Sequence, residues 1–416
     1  MAELEQELIT WRRHVSSQVP VIAELLDATE DERTKGGYGQ TIEEIVQQPV
    51  TWLDTAARAV DQRSALQTLL GRDRHETGIR SLMLTGSGSS LYAGECVAPA
   101  LQSELDLPVR AIAGGDLLTH PRAAVLPGRP SLLVSIARSG NSPESAAAVE
   151  NLLQAETDCR HLFVTCNKQG RLAVGYRDDP RTQALILHER TNDRSLVMTS
   201  SFTNMVLAAR SLGFLDRPSL YQETVHRLRG IAGHLMIRYA QPLAAAARDD
   251  YGFALYLASG CRFGAAREAS LKMMEMSAGR TRTMVETYLG LRHGPMAAIH
   301  DDTLIVCFLS GDALARAYEI DLIHELNRKS LGRRKVIVGE EIPDELLRDG
   351  DVAVECPGMK QAGDDNVAVI DVLAGQLLAL YHCLAIGLRP DSPSPEGVIS
   401  RVVGDFQIHT PPRVHH

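Results

Sequence analysis

Lys272 and Glu275 stand three residues apart in the run from Glu268 to Ala298, and His293 follows later in the same run. The first half has helical spacing, with Leu271, Met274 and Ala278 on one stripe, so Lys272 and Glu275 are neighbours at i, i+3. The second half, Glu286 to Pro295, lacks periodicity and holds Gly290, Gly294 and Pro295, the composition of an ordered loop. A carboxylate on a helix and a histidine on a rigid loop suit proton transfer. The competing reading is a solvated ion pair and a histidine with no catalytic role. The pairing alone does not decide between them.

Three other stretches have the chemistry to hold an anion. Gly86-Ser-Gly-Ser-Ser90 follows an apolar run and opens a helical one; Gly88 lets the backbone approach closely, and Ser89 and Ser90 add hydroxyls. Arg138 to Ser142 has the same placement, with Ser139, Asn141 and Ser142 near a helix start. Thr199, Ser200 and Ser201 form a third hydroxyl cluster. Any one of these could be a simple helix cap. Two such loops after consecutive parallel strands favour a binding site, because strand C-termini in an open sheet converge on a crevice. Nucleotide motifs fit less well. Leu91 occupies the third glycine position of a dinucleotide fingerprint, and there is no G-x-x-x-x-G-K-[ST]. No histidine or carboxylate cluster has metal spacing, and His188, His300 and His382 read as structural.

The elements that must position these residues alternate between strand and helix. From Ile79 the chain shows strands at Ser81–Thr85, Val109–Ala113, Ser131–Ile136, His161–Thr165 and Ala184–Leu187, with helices between them. The pattern restarts after a helical stretch at about 217–247, with strands at Phe253–Ala258, Thr303–Leu309, Arg334–Val338 and Val352–Cys356. The recurrence predicts two copies of one α/β unit, each a parallel sheet with helices on both faces. Residues 1 to about 75 read as helical, with a capping-box pattern at Thr41 and Glu44, an interruption at Pro49, and no evident chemistry. Val367 to Leu388 is apolar but holds Asp371, Gln376 and His382, and reads as a buried core helix rather than a membrane span.

Composition narrows the class. The chain has 416 residues, 44% hydrophobic and 23% charged, with net charge −9. It has no basic run to neutralise nucleic acid or an anionic membrane, so a bound phosphate must be held locally. Seven scattered cysteines without a C-x-x-C fit reduced thiols in the cytoplasm. The acidic amphipathic N-terminus shows no signal peptide.

These loops, together with Gln47-Gln48-Pro49, Ala137-Arg-Ser-Gly-Asn-Ser-Pro-Glu-Ser145, Met198-Thr-Ser-Ser-Phe-Thr203, Arg267-Glu-x-x-Leu-Lys272, Arg292-His-Gly-Pro295, Pro393-Ser-Pro and Ser400-Arg-Val-Val403, resemble the sugar isomerase (SIS) domain family. The doubling is similar to the isomerase half of glucosamine-6-phosphate synthase. The sequence resembles more closely the AgaS group of tagatose-6-phosphate ketose/aldose isomerases and galactosamine-6-phosphate deaminases. The resemblance implies an α/β fold of two tandem SIS-type, doubly wound parallel-sheet domains of flavodoxin-like form with an N-terminal helical arm. The arm would span 1–75, the first domain with its phosphate-binding loops 76–225, the second with Glu275 and His293 226–388, and a tail closing the active site 389–416.

The resemblance also implies roles. Ser89 and Ser90 of the first loop, and Arg138, Ser139 and Ser142 of the second, would hold a sugar 6-phosphate; Gly88, Asn141, Thr199 and Ser200 are expected beside them from the loop chemistry. Glu275 would carry the proton between C2 and C1 and His293 would open the ring; in the mechanism this suggests, Lys272 or the neighbouring hydroxyls stabilise the developing oxyanion. His293 would come from a neighbouring subunit, implying a homodimer or higher oligomer with a shared site. No metal or organic cofactor is implied. The stretch from Glu275 to His293 is two residues longer than in the synthase. The synthase's glutaminase domain is missing, and the last lysine is Lys360, so Arg401 stands in the tail where the synthase has an imine-forming lysine. Without an ammonia source, deamination of an amino sugar is the expected direction. The rival expectations are a deglycase for 6-phosphorylated sugar–amine adducts and a non-catalytic sugar-phosphate sensor.

Overall fold

A computed structural model describes residues 2–71, 78–394, 396–401 and 407–409. Pro395, Val402 and Val403 of the tail motifs lie outside the described residues, as do residues 72–75 of the expected arm and 404–406 and 410–416 of the expected tail.

Two five-stranded parallel sheets form the body. The first contains β1 (Ser81–Gly86), β2 (Val109–Ala113), β3 (Ser131–Ala137), β4 (Cys159–Thr165) and β5 (Thr182–Ile186) in the order β2-β1-β3-β4-β5. The second contains β6 (Phe253–Leu257), β7 (Arg282–Glu286), β8 (Thr303–Phe308), β9 (Arg334–Gly339) and β10 (Val352–Glu355) in the order β10-β9-β8-β6-β7. Counted within each copy, both orders are 2-1-3-4-5, the flavodoxin-like arrangement. The expected repeat is real. Side chains alternate faces with a period of two. Leu82, Leu84, Val134 and Ile136 join a core shared with Ala254 and Tyr256 of the second sheet, whereas Met83 and Leu133, and Leu255 and Leu257, pack under separate outer layers. Strands buried on both faces therefore read as continuous apolar runs.

Helices Ser89–Leu105, Ser200–Arg210, Phe263–Met276 and Ala368–Ala385 contribute to this shared core between the sheets. The Ala368–Ala385 helix is long and apolar enough to cross a membrane by length and composition, yet 89% of that window is buried in the protein. It is a core helix, as expected.

Three local expectations fail. The capping box is at Thr29 and Glu32, whereas Thr41 lies inside the Gly39–Val46 helix and Glu44 is turned into the protein. Pro49 sits in the first turn of the next helix, Gln48–Asp61, where its missing N–H is harmless. In the Phe263–Met276 helix the buried stripe is Ala265, Ala266, Ala269, Met273 and Met276; Met274 is exposed and Ala278 lies beyond the helix at φ 51°. The sequence also hid β7, an edge strand whose ends are Arg282 and Glu286 and which shows no apolar run.

Candidate active site

The first loop leaves β1 at the point where the strand order reverses. Gly86 has no room for a side chain, since a Cβ there would meet Ser90 Cβ at 2.5 Å, and Gly88 adopts φ +56°. This tight turn lets Ser89 and Ser90 open the Ser89–Leu105 helix with both residues buried. The second loop leaves β3, and Ser142 precedes the Pro143–Ala155 helix in extended conformation. The Ser142 hydroxyl is closed off from solvent and has no hydrogen-bond partner among the described residues. Ser90, Arg138, Ser139, Ser142, Met198 and Arg401 line part of one pocket of about 140 Å³. The two loops therefore meet, as strand ends in such a sheet should. Asn141 instead braces the loop, its Oδ1 accepting from Arg171 N at 2.9 Å.

Behind the first loop lies a cluster of Lys272, Glu275 and Glu268, carried by the Phe263–Met276 helix of the second copy. Lys272 is fully buried; its Nζ is 2.6 Å from Glu275 Oε2 and 3.2 Å from Glu268 Oε1, and it donates to Ser89 Oγ at 3.2 Å. The solvated-pair alternative is thus excluded. Burial disfavours the lysine's charge, but two carboxylates outweigh it and raise the Lys272 pKa. Glu268 is also fully buried, and burial pushes its carboxyl up to about 7 against the opposing pull of Lys272. Glu275 retains 23% side-chain exposure, so it is the carboxylate of the three groups open to a ligand. Sequence reasoning passed over Glu268, although its i, i+4 spacing to Lys272 was visible.

His293 ends a short 3-10 turn, Gly290–His293, beyond β7. It is exposed, and no hydrogen bond or ion pair joins it to Glu275 or to the serine loops. Its neighbour Arg292 anchors the turn through Glu325 at 2.7 Å.

The third hydroxyl cluster serves a different purpose from the expected one. Asp193, fully buried, accepts from the backbone N–H of Thr199, Ser200 and Ser201 at 2.8, 3.1 and 2.9 Å. An internal carboxylate fills the N-terminus of the Ser200–Arg210 helix, so the Thr199 and Ser200 amides are engaged within the protein rather than held for a substrate. Arg401 donates to Asp193 O at 2.9 Å from Nε and to Asn192 Oδ1 at 3.0 Å, tying the tail to this segment while lining the pocket. His382 is structural, bridging Thr281 Oγ1 and Ala247 O, and His188 accepts from Arg190 N.

The second copy has an equivalent turn after β6. Arg262 fills it, fully buried, with Nε and a terminal nitrogen 2.7 and 2.6 Å from the Asp371 carboxylate. Among the described residues, no group of three or more His, Cys, Asp and Glu has the arrangement to hold a metal ion.

No protein-family profile matches the chain. A Streptomyces coelicolor protein provisionally named D-galactosamine-6-phosphate deaminase AgaS is 36% identical over 89% of this chain and 95% of its own length. The D-galactosamine-6-phosphate deaminase AgaS of Escherichia coli is 34% identical with the same coverage. The crystal structure of tagatose-6-phosphate ketose/aldose isomerase from Escherichia coli superposes with a TM-score of 0.78 at 31% identity, covering 89% of this chain and 96% of that one.

Proposed function

Because the chain belongs to the AgaS family of SIS-domain enzymes, we propose that it converts galactosamine 6-phosphate to the ketose 6-phosphate with release of ammonia. The observation that carries this reading is the Lys272–Glu275 pair held against Ser89 of the first serine loop. A carboxylate and an ammonium next to the loop that lines a hydroxyl-rich pocket support it. The phosphate is held by Ser89, Ser90, Ser139 and Ser142, with Arg138 nearby. Ring opening exposes the C1 aldehyde, which acidifies the C2–H bond. Glu275 takes the C2 proton, giving a C1–C2 enolamine, while Lys272 stabilises the charge that develops on O1. Glu275 then delivers a proton to C1, leaving a ketimine at C2. Water adds to that carbon and ammonia leaves. With a hydroxyl at C2 the same two proton transfers give aldose–ketose isomerisation, the activity named for the Escherichia coli structure.

The deciding assay compares ammonia and ketose 6-phosphate release from galactosamine 6-phosphate and glucosamine 6-phosphate. Ammonia from the galacto sugar is the expected result. No ammonia from either, with tight sugar-phosphate binding, returns the choice to a plain isomerase or a sensor.

His293 fits this scheme as the ring-opening group if it enters the site of a second subunit, and its exposed position supports that arrangement. The active form is then a homodimer or higher oligomer. Glu275→Gln and His293→Ala proteins, each inactive alone, should recover about a quarter of wild-type activity after subunit exchange, since half the dimers are mixed and each mixed dimer has one intact site. No recovery despite demonstrated exchange would place His293 in its own subunit's site. A cytoplasmic setting fits the seven buried free thiols.

A further inference from the structure

The helical arm, for which the sequence offered no chemistry, is linked to the pocket-lining Arg138 through Glu44 and the segment 194–197. Glu44, on the Gly39–Val46 helix, is 7% exposed. Its Oε1 accepts from the backbone N–H of Arg194 and of Ser195, the latter at 3.2 Å, and its Oε2 contacts Ser195 Oγ. Ser195 Oγ also lies 3.0 Å from Val197 O. A hydroxyl has one proton to give. Both contacts are satisfied together when a protonated Glu44 donates to Ser195 and Ser195 donates to Val197 O. Burial, and then the neighbouring Asp193 carboxylate, holds the Glu44 carboxyl well above its ordinary range, in keeping with that proton placement.

The segment so gripped carries three carbonyls to one guanidinium. Arg138 Nη1 faces Leu196 O at 3.1 Å, Ser195 O at 3.4 Å and Val197 O at 3.5 Å, and its Nη2 donates to Arg401 O at 2.8 Å. Arg138 is 7% exposed and lines the pocket beside Ser139 and Ser142. The tail secures the same unit from the other side. The Asp391 carboxylate accepts from Gln40 N and Thr41 N at the start of the Glu44 helix, and Asp391 O accepts from Leu196 N at 3.0 Å. Arm, tail and segment 193–197 are thus one hydrogen-bonded block around Arg138.

We propose that Glu44 is a positioning residue of the sugar-phosphate site, fixing the 194–197 backbone so that its carbonyls orient the Arg138 guanidinium for the phosphate. This rests on the pocket being the phosphate site. Glu44 touches no substrate, so its loss weakens binding and spares the proton transfers at Glu275.

The test measures kcat and KM for galactosamine 6-phosphate and calorimetric binding of that sugar and of inorganic phosphate. Glu44→Leu should raise KM and both dissociation constants about tenfold or more, with kcat within about threefold of wild type. Glu44→Gln, whose amide oxygen accepts from the two N–H groups and whose NH₂ donates to Ser195, should restore most of the affinity. Wild-type KM in a folded Glu44→Leu protein, or a fall in kcat at unchanged KM, overturns the proposal. If Glu44→Leu does not fold, Ser195→Ala removes only the hydroxyl link and must raise KM severalfold; an unchanged KM there also overturns it. Wild-type protein that binds neither galactosamine 6-phosphate nor inorganic phosphate overturns the assigned function, and this proposal with it. Undiminished binding in the variants overturns this proposal alone.

Discussion

Glu275→Gln should lower turnover of galactosamine 6-phosphate by about 10³-fold or more, with KM within about threefold of wild type. Glutamine keeps the shape of the side chain, and its amide oxygen still accepts from Lys272 Nζ, so helix, loop and pocket stay as they are. Only basicity is lost. Both proton transfers pass through this carboxylate in the proposed scheme, so ammonia release from the amino sugar and isomerisation of the corresponding hydroxy sugar should fall together. That joint fall separates a C2-to-C1 proton shift from a deglycase reaction, in which cleavage of the carbon–nitrogen bond need not share its base with an isomerisation. Thermal unfolding should show near-wild-type Tm, and calorimetry should show ligand still bound. A variant that retains turnover would remove Glu275 from the mechanism. One that loses ammonia release but still isomerises would divide the two activities between different groups.

The features legible in the sequence were those written in local spacing. Alternating strands and helices, repeated after about 170 residues, gave the doubled sheet, and a serine-rich turn between an apolar strand and a helix gave each of the two serine loops. Lys272 and Glu275 were neighbours on any helix. What escaped depended on the third dimension. A Thr-Ser-Ser helix start offers the same donors to an outside phosphate as to an inside carboxylate, and only the fold shows that Asp193 occupies them. Thr41 and Glu44 have capping-box spacing, but tertiary packing draws Glu44 to a segment 150 residues away. The edge strand β7 stayed hidden because a strand bordered by Arg282 and Glu286 lacks the apolar run that marks a central one.

In the proposed scheme one copy binds the phosphate while the other supplies the base, and the doubled fold accommodates that division. In the second copy Arg262 occupies the turn after β6, paired with Asp371 from the core helix, so that crevice is already neutralised. The following helix presents Lys272 to the first copy's loop, where it donates to Ser89. In the proposed scheme the anion site and the base therefore belong to different sheets.

Lys272→Met should have the second large effect, on stability and catalysis at once. Among the described residues, the ammonium is the only cation with direct contacts to both Glu268 and Glu275. Losing one partner from a buried ion pair typically costs about 3–5 kcal/mol, and losing an electrostatic donor beside the reacting oxygen about 10²–10³ in kcat. The stability loss has a signature. Glu268 is already held up to about 7 with the lysine present, and without it the folded-state value rises further. A carboxyl whose folded pKa exceeds its unfolded one binds more protons in the folded state, so stability falls as pH rises through the interval between them. The Tm deficit of Lys272→Met should therefore be smaller near pH 6 than near pH 8.5. Adding Glu268→Gln removes the stranded charge and should recover most of the stability while leaving kcat low, because the oxyanion still lacks its cation. A deficit that does not change with pH would contradict the buried triad. Recovery of both stability and kcat in the double variant would make Lys272 a structural counter-ion and leave O1 to be stabilised by the neighbouring hydroxyls.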